Sequence, residues 1–262
     1  MNVEQENLLI GRNTVREAIR SGRGIEAVFV AQEAPDGSLR EILRLAKDRG
    51  IVVKKVARSK LDELARPFGY GGRPGNHQGI VAQVAAVKYA QMEDVFARAR
   101  QKGQPPFIIA LDGVTDPHNL GAVVRSAEVL GAHGVVIPKR RSAGMTAAAC
   151  KTASGAQEYI PIVRVGGLVQ TIEEVKARGV WVACADMSGQ SAFAADLTGP
   201  LMLVIGAEGE GVSRLVREKC DLTVKVDVCG QIDSLNASAA AAVLMYEKTR
   251  QEALAARKGG RG

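Results

Sequence analysis

"TDPHNLGAVVRSAEVLGAHGVVIP", residues 115–138, decides how the larger part of the chain is read. A strand-like run, Phe107 to Leu111, precedes it, helical periodicity begins near Asn119, and a second strand-like run, Gly134 to Ile137, follows. This looks like the start of a nucleotide-binding unit, in which a helix carries the chain between two strands of one sheet. The turn, however, lacks the glycine cluster that cradles a pyrophosphate. It holds Asn119 and, six residues on, Arg125. Leu120, Val123, Val124, Ala127 and Leu130 form the buried stripe of the helix, and Arg125 lies off it. Helical side chains lean toward the N-terminus, so an arginine two turns in can bring its head back toward the mouth of the loop near Asn119. The plainer alternative is an asparagine N-cap and a solvated arginine.

Downstream the alternation continues: a helix over 146–154, "YIPIVRV", a helix over 167–178, "GVWVACA", "LMLVIGAE", a short helix over 211–218, "LTVKVDV", and a long helix from Asn236 to Ala256. Near-continuous apolar strands between amphipathic helices predict a mostly parallel sheet covered on both faces. Upstream, residues 7–21 read as a short helix, "EAVFVA" as a strand and "SLREILRLAKDRG" as an amphipathic helix. "IVVKKVA" follows as a strand, and "SKLDELA" as a helix with Ser59 as its candidate cap. A glycine- and proline-rich exposed loop over 67–79, containing Tyr70 and His77, then leads into a strand ending near Val87. This predicts an N-terminal α/β module over residues 1–90 and a larger domain over 91–262.

With 262 residues and 46% hydrophobic content the composition is globular, and no apolar run is long enough to cross a bilayer. The N-terminal "MNVEQENLLIGRN" lacks the pattern of a secretory signal. Cys150, Cys184, Cys220 and Cys229 are widely spaced, with no CxxC, and with three scattered histidines they make no metal site. Reduced thiols in a cytoplasmic protein are the expectation. The net charge is +7, and residues 1–90 hold 15 Lys and Arg against 10 Asp and Glu. The basic excess of the smaller module suits a polyanionic partner such as nucleic acid, or solubility alone.

Two further stretches carry chemistry. "LMLVIGAEGEGVS", residues 201–213, runs a buried strand into Gly206, Glu208, Gly209 and Gly211, where small residues at a strand's carboxyl end let a ligand approach backbone amides. Its GxxGxG order is not the dinucleotide fingerprint, and it falls late in the domain. "VDVCGQIDSLNASAAAAVLMYE", residues 226–247, opens a helix, with Ser234 and Asn236 suited to its entry and an alanine run suited to close packing, across a dimer or within the core.

In this order and spacing the three stretches closely resemble the three motifs of the SpoU-type (TrmH-like) RNA ribose 2′-O-methyltransferases of the SPOUT superfamily. The N-terminal module, with "GRNTVREAI" and "NHQGIVA", resembles the L30e-like RNA-binding domain that precedes the catalytic domain in large-subunit rRNA guanosine methyltransferases. The resemblance implies an α/β fold with a C-terminal trefoil knot, S-adenosylmethionine as cofactor, no metal, a homodimer, and RNA, rRNA foremost, as partner. It implies cofactor contacts at Gly206, Val226 and Leu235, and polar active-site positions at Asn119, Arg125, Glu208, Ser234 and Asn236. Asp227 stands where the family commonly has proline, and Ala237 where it has valine.

Because the sulfonium already activates the methyl group, the chemical difficulty lies in the ribose hydroxyl. The family proposal makes Arg125 the base. A guanidinium holds its proton under ordinary conditions, so Arg125 is expected at least to orient the ribose and stabilise the forming alkoxide, with a substrate phosphate or water taking the proton. Lys139, Arg140 and Arg141, just past a strand end, are expected on the RNA backbone. The alternatives are a tRNA guanosine methyltransferase, a non-catalytic RNA-binding protein, and a nicotinamide-dependent reductase, which the missing glycine fingerprint disfavours.

Overall fold

The computed structural model describes residues 7–33, 36–232 and 234–259. Its contacts form two compact units, one of the described residues up to Lys88 with Met145–Ala148, the other of Tyr89–Gly144 and the described residues from Ala149 onward.

The first unit contains β1 (Leu8–Ile10), α1 (Arg12–Arg20), β2 (Ile25–Ala31), α2 (Gly37–Asp48), β3 (Val52–Val56), α3 (Arg58–Ala65) and β4 (Ile80–Val84). The sheet order is β1-β4-β2-β3, with β2 and β3 parallel and β4 antiparallel to both its neighbours. Residues 7–21 are therefore not one helix. Leu8–Ile10 pair with β4, and the chain turns at Gly11, φ 87°, before α1 begins. Val15, Ile19, Leu39 and Ile42 pack with Val28, Val30, Ile80 and Ala82 on one face of the sheet, and Leu61 packs with Val81 on the other. α3 begins one residue before the expected cap Ser59 and has Ala57 at its N-cap without a side-chain bond. In the glycine-rich loop His77 is buried, its Nε2 3.0 Å from Asp62 Oδ1. Its Nδ1 accepts from the Gly79 N–H at 3.0 Å, so this ring is part of the scaffold.

The second unit contains α4 (Met92–Gln101), β5 (Phe107–Asp112), α5 (Pro117–Val129), β6 (Gly134–Pro138), most of α6 (Ala147–Ala153), β7 (Ile162–Val165), α7 (Leu168–Lys176) and β8 (Trp181–Ser191). β9 (Leu201–Gly206), α8 (Arg214–Lys219), β10 (Leu222–Lys225) and α9 (Ala237–Gly259) complete it. The strand order is β10-β8-β9-β5-β6-β7 and every pairing is parallel. Helices on both faces bury the central strands completely: Ile108 to Leu111 and Met202 to Ile205 are at most 2% exposed. This is why these strands read as unbroken apolar runs rather than alternating ones.

Two features of this sheet position the site. The register of β10 on β8 jumps between Thr223, opposite Cys184, and Val224, opposite Gln190, so residues 185–189 leave the ladder as an excursion of β8. From the edge strand β10 the chain returns across the sheet to α9, which packs on α5 and β9. Ala241, Leu244 and Met245 are its fully buried contacts. α5 starts at Pro117, and its N-cap is Asp116, whose side chain accepts from the His118 N–H at 2.9 Å. Proline suits the first helical position because its missing N–H would have had no partner there. Asn119 thus lies inside the first turn of α5 instead of capping it. Among the described residues no helix is long and apolar enough to cross a membrane.

Candidate functional site

A cavity of about 620 Å³ opens at the carboxyl ends of β8, β9 and β10, within the usual range for small-molecule sites and where parallel sheets bind ligands. Three segments wall it: Ala185, Asp186 and Met187 of the β8 excursion; Ile205 and Gly206 at the end of β9 with Ala207 to Gly211 after it; and residues of the 224–244 stretch that ends in α9. Gly206 is at the bottom, where a Cβ would overlap the Gly211 carbonyl. The loop folds tightly onto itself there, with paired backbone bonds from Ala207 N–H to Gly211 O (3.1 Å) and from Gly211 N–H to Ala207 O (2.9 Å). The Ser213 N–H, bonded to Asp112 Oδ2 at 2.8 Å, ties the loop to β5.

The polar groups at the mouth are arranged by a helix cap. Asn236 is the N-cap of α9: its Oδ1 accepts from the Ser238 N–H at 2.9 Å, the Ser238 hydroxyl at 2.6 Å and the Ala239 N–H at 3.3 Å. With its oxygen committed to the cap, its Nδ2 must face inward. There it donates to Asn119 Oδ1 at 3.0 Å and to Glu208 Oε1. Asn119 in turn can only donate to Glu208, which it does from Nδ2 to Oε1 at 3.1 Å. The order cap, amide, amide, carboxylate leaves each group one allowed orientation. Asn119 is 9% exposed, while Glu208 and Asn236 stand open at the mouth. The result is a fixed carboxylate acceptor at the mouth of the cavity.

The structure brings Gly206, Glu208, Val226, Ser234, Leu235 and Asn236 into one cavity lining and joins Asn119 to it through Glu208 and Asn236. Leu235 contributes an apolar side chain that is 43% exposed. Ser234 lies in the segment before α9, and Asn236 caps the helix entry. Asp227 accepts a hydrogen bond from the Ser191 hydroxyl, which pins the third segment to the end of β8. Arg125 is not in the lining. It is exposed on α5, with Nη1 3.5 Å from Ser154 Oγ. Lys139 is half-buried, and Arg140 and Arg141 are exposed just after β6.

The wall that sequence reasoning missed is the β8 excursion. Asp186 accepts from the Ser188 N–H at 2.9 Å and from the Ser188 hydroxyl at 2.6 Å, and Arg217 Nη1 is 3.1 Å from its other oxygen. The Ser188 hydroxyl and N–H, then the Arg217 charge, hold the Asp186 carboxyl below the usual carboxylate range, despite its partial burial. The lining thus carries Asp186, Glu208 and Glu210 against Lys225, a setting that favours a cationic ligand. The one sequence signal was the abrupt change from "WVACA" to "DMSGQS" within what is a single strand.

The model of the SpoU rRNA Methylase family matches residues 106–246, and that for RNA 2′-O ribose methyltransferase substrate binding matches residues 8–90. The chain belongs to the SpoU family of RNA ribose 2′-O-methyltransferases. YacO of Bacillus subtilis (strain 168), provisionally described as a TrmH family tRNA/rRNA methyltransferase, is 44% identical over 249 residues, 95% of this chain and 97% of that one. Among solved structures, the SpoU methyltransferase AviRb of Streptomyces viridochromogenes, in complex with the cofactor AdoMet, is 27% identical with a TM-score of 0.56. That likeness covers 93% of this chain and 89% of AviRb. The TrmH/SpoU tRNA modifying enzyme of A. aeolicus is 26% identical with a TM-score of 0.52, over 60% of this chain and 83% of that one.

Proposed function

We propose that this enzyme methylates the ribose 2′-hydroxyl of a guanosine in large-subunit (23S) rRNA, as a cytoplasmic homodimer. The methyl donor is S-adenosylmethionine, the cofactor bound in AviRb. The observation that carries the reading is the locked Asn119–Glu208–Asn236 group at the mouth of an acidic cavity of ligand size. The cavity fits the donor: Gly206 lets the 207–211 loop fold back tightly enough to form its wall, Val226 and Leu235 offer apolar walls, and the carboxylates complement a sulfonium.

When bound, S-adenosylmethionine supplies a methyl group already activated by its sulfonium, with no metal required. The protein's own work is on the ribose. Glu208, held by two amides, accepts a hydrogen bond from a sugar hydroxyl without reorganising, which is how a preformed site lowers a barrier. Asn119 and Ser234 supply further polar contacts at the mouth. Arg125 presents its guanidinium to the ribose and the adjoining phosphate and stabilises the alkoxide as it forms. Arg125 lies on α5, beside α9, and the exposed apolar Val129, Val243 and Tyr246 of these two helices support a dimer that completes the site. The chain's return from β10 to α9 on α5 supports the C-terminal trefoil knot as part of the same proposal.

rRNA is favoured over tRNA by the N-terminal module, which the substrate-binding model matches over residues 8–90, while the A. aeolicus tRNA enzyme's likeness covers only 60% of this chain. The test is transfer of labelled methyl from S-adenosylmethionine to rRNA and tRNA taken from a strain lacking this protein, followed by mapping of the nucleotide. Label in a 23S guanosine supports the reading; label in tRNA alone overturns its substrate, and no label overturns the reaction.

A further inference from the structure

Resting on the reading that this chain acts on RNA, we propose that the loop over residues 66–75 is a stacking platform for an unpaired nucleobase. Tyr70 is the platform, and Arg66 and Arg73 hold the adjoining phosphates. Tyr70 is 97% exposed, so its ring contributes almost nothing to folding. Yet the backbone beneath it is built with care. Gly71 (φ 61°) and Gly72 (φ 77°) make the two-residue reversal that other residues adopt only with strain. Tyr70 and Arg73 flank it as antiparallel bridge partners, with the Arg73 N–H bonded to Tyr70 O at 3.2 Å. The Gly75 N–H bonds to Ala65 O at 2.9 Å and ties the loop to the end of α3.

The occupant follows from this geometry. Bridge partners project from the same face with Cβ atoms about 5 Å apart. A guanidinium at Arg73 therefore reaches the phosphate of a nucleotide whose base lies on the Tyr70 ring. Among the described residues neither Arg66 nor Arg73 has an ion-pair partner, and both are exposed. Exposed aromatic rings, Tyr70 and the half-exposed Phe68, with two unpaired cations in the same ten-residue loop are the elements of single-strand recognition, whereas an apolar protein partner calls for a larger contiguous patch. Every base has a π-face, so the platform selects for unpaired nucleotides and is tolerant of their identity.

The experiment uses the full chain and a 12-nucleotide mixed-sequence single-stranded RNA carrying one 2-aminopurine, beside the same sequence as a blunt duplex. Tyr70→Ala is expected to weaken single-strand binding about tenfold and to abolish quenching of the probe, while Tyr70→Phe stays within about twofold of the unmodified chain. Duplex binding is unchanged by either substitution. Arg73→Ala lowers the slope of log K against log salt by about 0.7. In methyl transfer Tyr70→Ala raises KM for RNA and leaves kcat and S-adenosylmethionine binding intact. Single-strand binding by Tyr70→Ala equal to that of the unmodified chain overturns the platform, as does Tyr70→Phe losing as much as alanine. Tyr70-dependent binding without methyl transfer to any RNA would overturn the proposed reaction and leave the platform standing.

Discussion

At the scale of single residues, Asn236 has two jobs that different substitutions separate. Asn236→Asp keeps the oxygen that caps α9 and removes the amide that holds Asn119 and Glu208; it is expected to preserve thermal stability and lower kcat about 100-fold. Equal losses of stability and turnover would mean that the cap alone matters. Arg125→Lys retains the charge but loses the planar fork, and a turnover reduced by about 100-fold at neutral pH is expected. Near-normal turnover in that variant would remove the guanidinium from the mechanism. Asn119, Glu208 and Asn236 were legible as site positions through the family resemblance; taken singly, the two asparagines read equally well as helix caps and Glu208 as part of a tight turn. Their mutual bonding was not legible, since 117 residues separate Asn119 from Asn236 and nothing local couples them. Arg125 was legible as lying off the buried stripe, while its neighbour Ser154 was not.

At the scale of elements, α5 rests on a cap that the sequence concealed. Asp116→Ala should cost about 1 kcal/mol in denaturant unfolding, because the His118 N–H loses its acceptor in the first turn. Asn119 is the more conspicuous cap candidate by type, but Pro117 sets the start of the helix and moves the cap to the residue before it. The parallel sheet was legible almost strand for strand, since burial on both faces demands continuous apolar runs. The β8 excursion was hidden for the opposite reason. A polar stretch after an apolar run reads as a turn, and only pairing with β10 on either side of it makes it an insertion in one strand. In the first unit Leu8–Ile10 read as helix because three apolar residues have no period of their own, and the partner β4 lies more than 70 residues away.

At the scale of the whole molecule, His133 links stability to pH. Its Nδ1 accepts from the Phe107 N–H at 3.0 Å and its Nε2 is 3.2 Å from Gln104 Oε1, an arrangement that requires the neutral ring. Burial, then the charges of Lys102, Arg98 and Lys248, push its pKa from 6.5 to about 4. The unfolded chain therefore takes up the proton first. The contribution of the neutral ring is fully present above pH 6.5 and is lost as pH falls toward 4, on the order of 3 kcal/mol. Urea unfolding of the protein and of His133→Gln between pH 7.5 and 4.5 should show the steeper decline only in the former. Tyr246→Asp, at an exposed position of α9, is expected to separate the proposed dimer into monomers by light scattering, with methyl transfer lost and donor binding kept. The cavity itself has a kinetic consequence. Its walls come from stretches near 186, 206 and 224–244, and the last runs from the edge strand β10 to α9 on α5 and β9, so the cavity encloses space only once all three have docked. On refolding from denaturant, recovery of far-UV ellipticity should therefore run ahead of competence to capture the donor, and occupancy of that pocket becomes a clock for the final act of assembly.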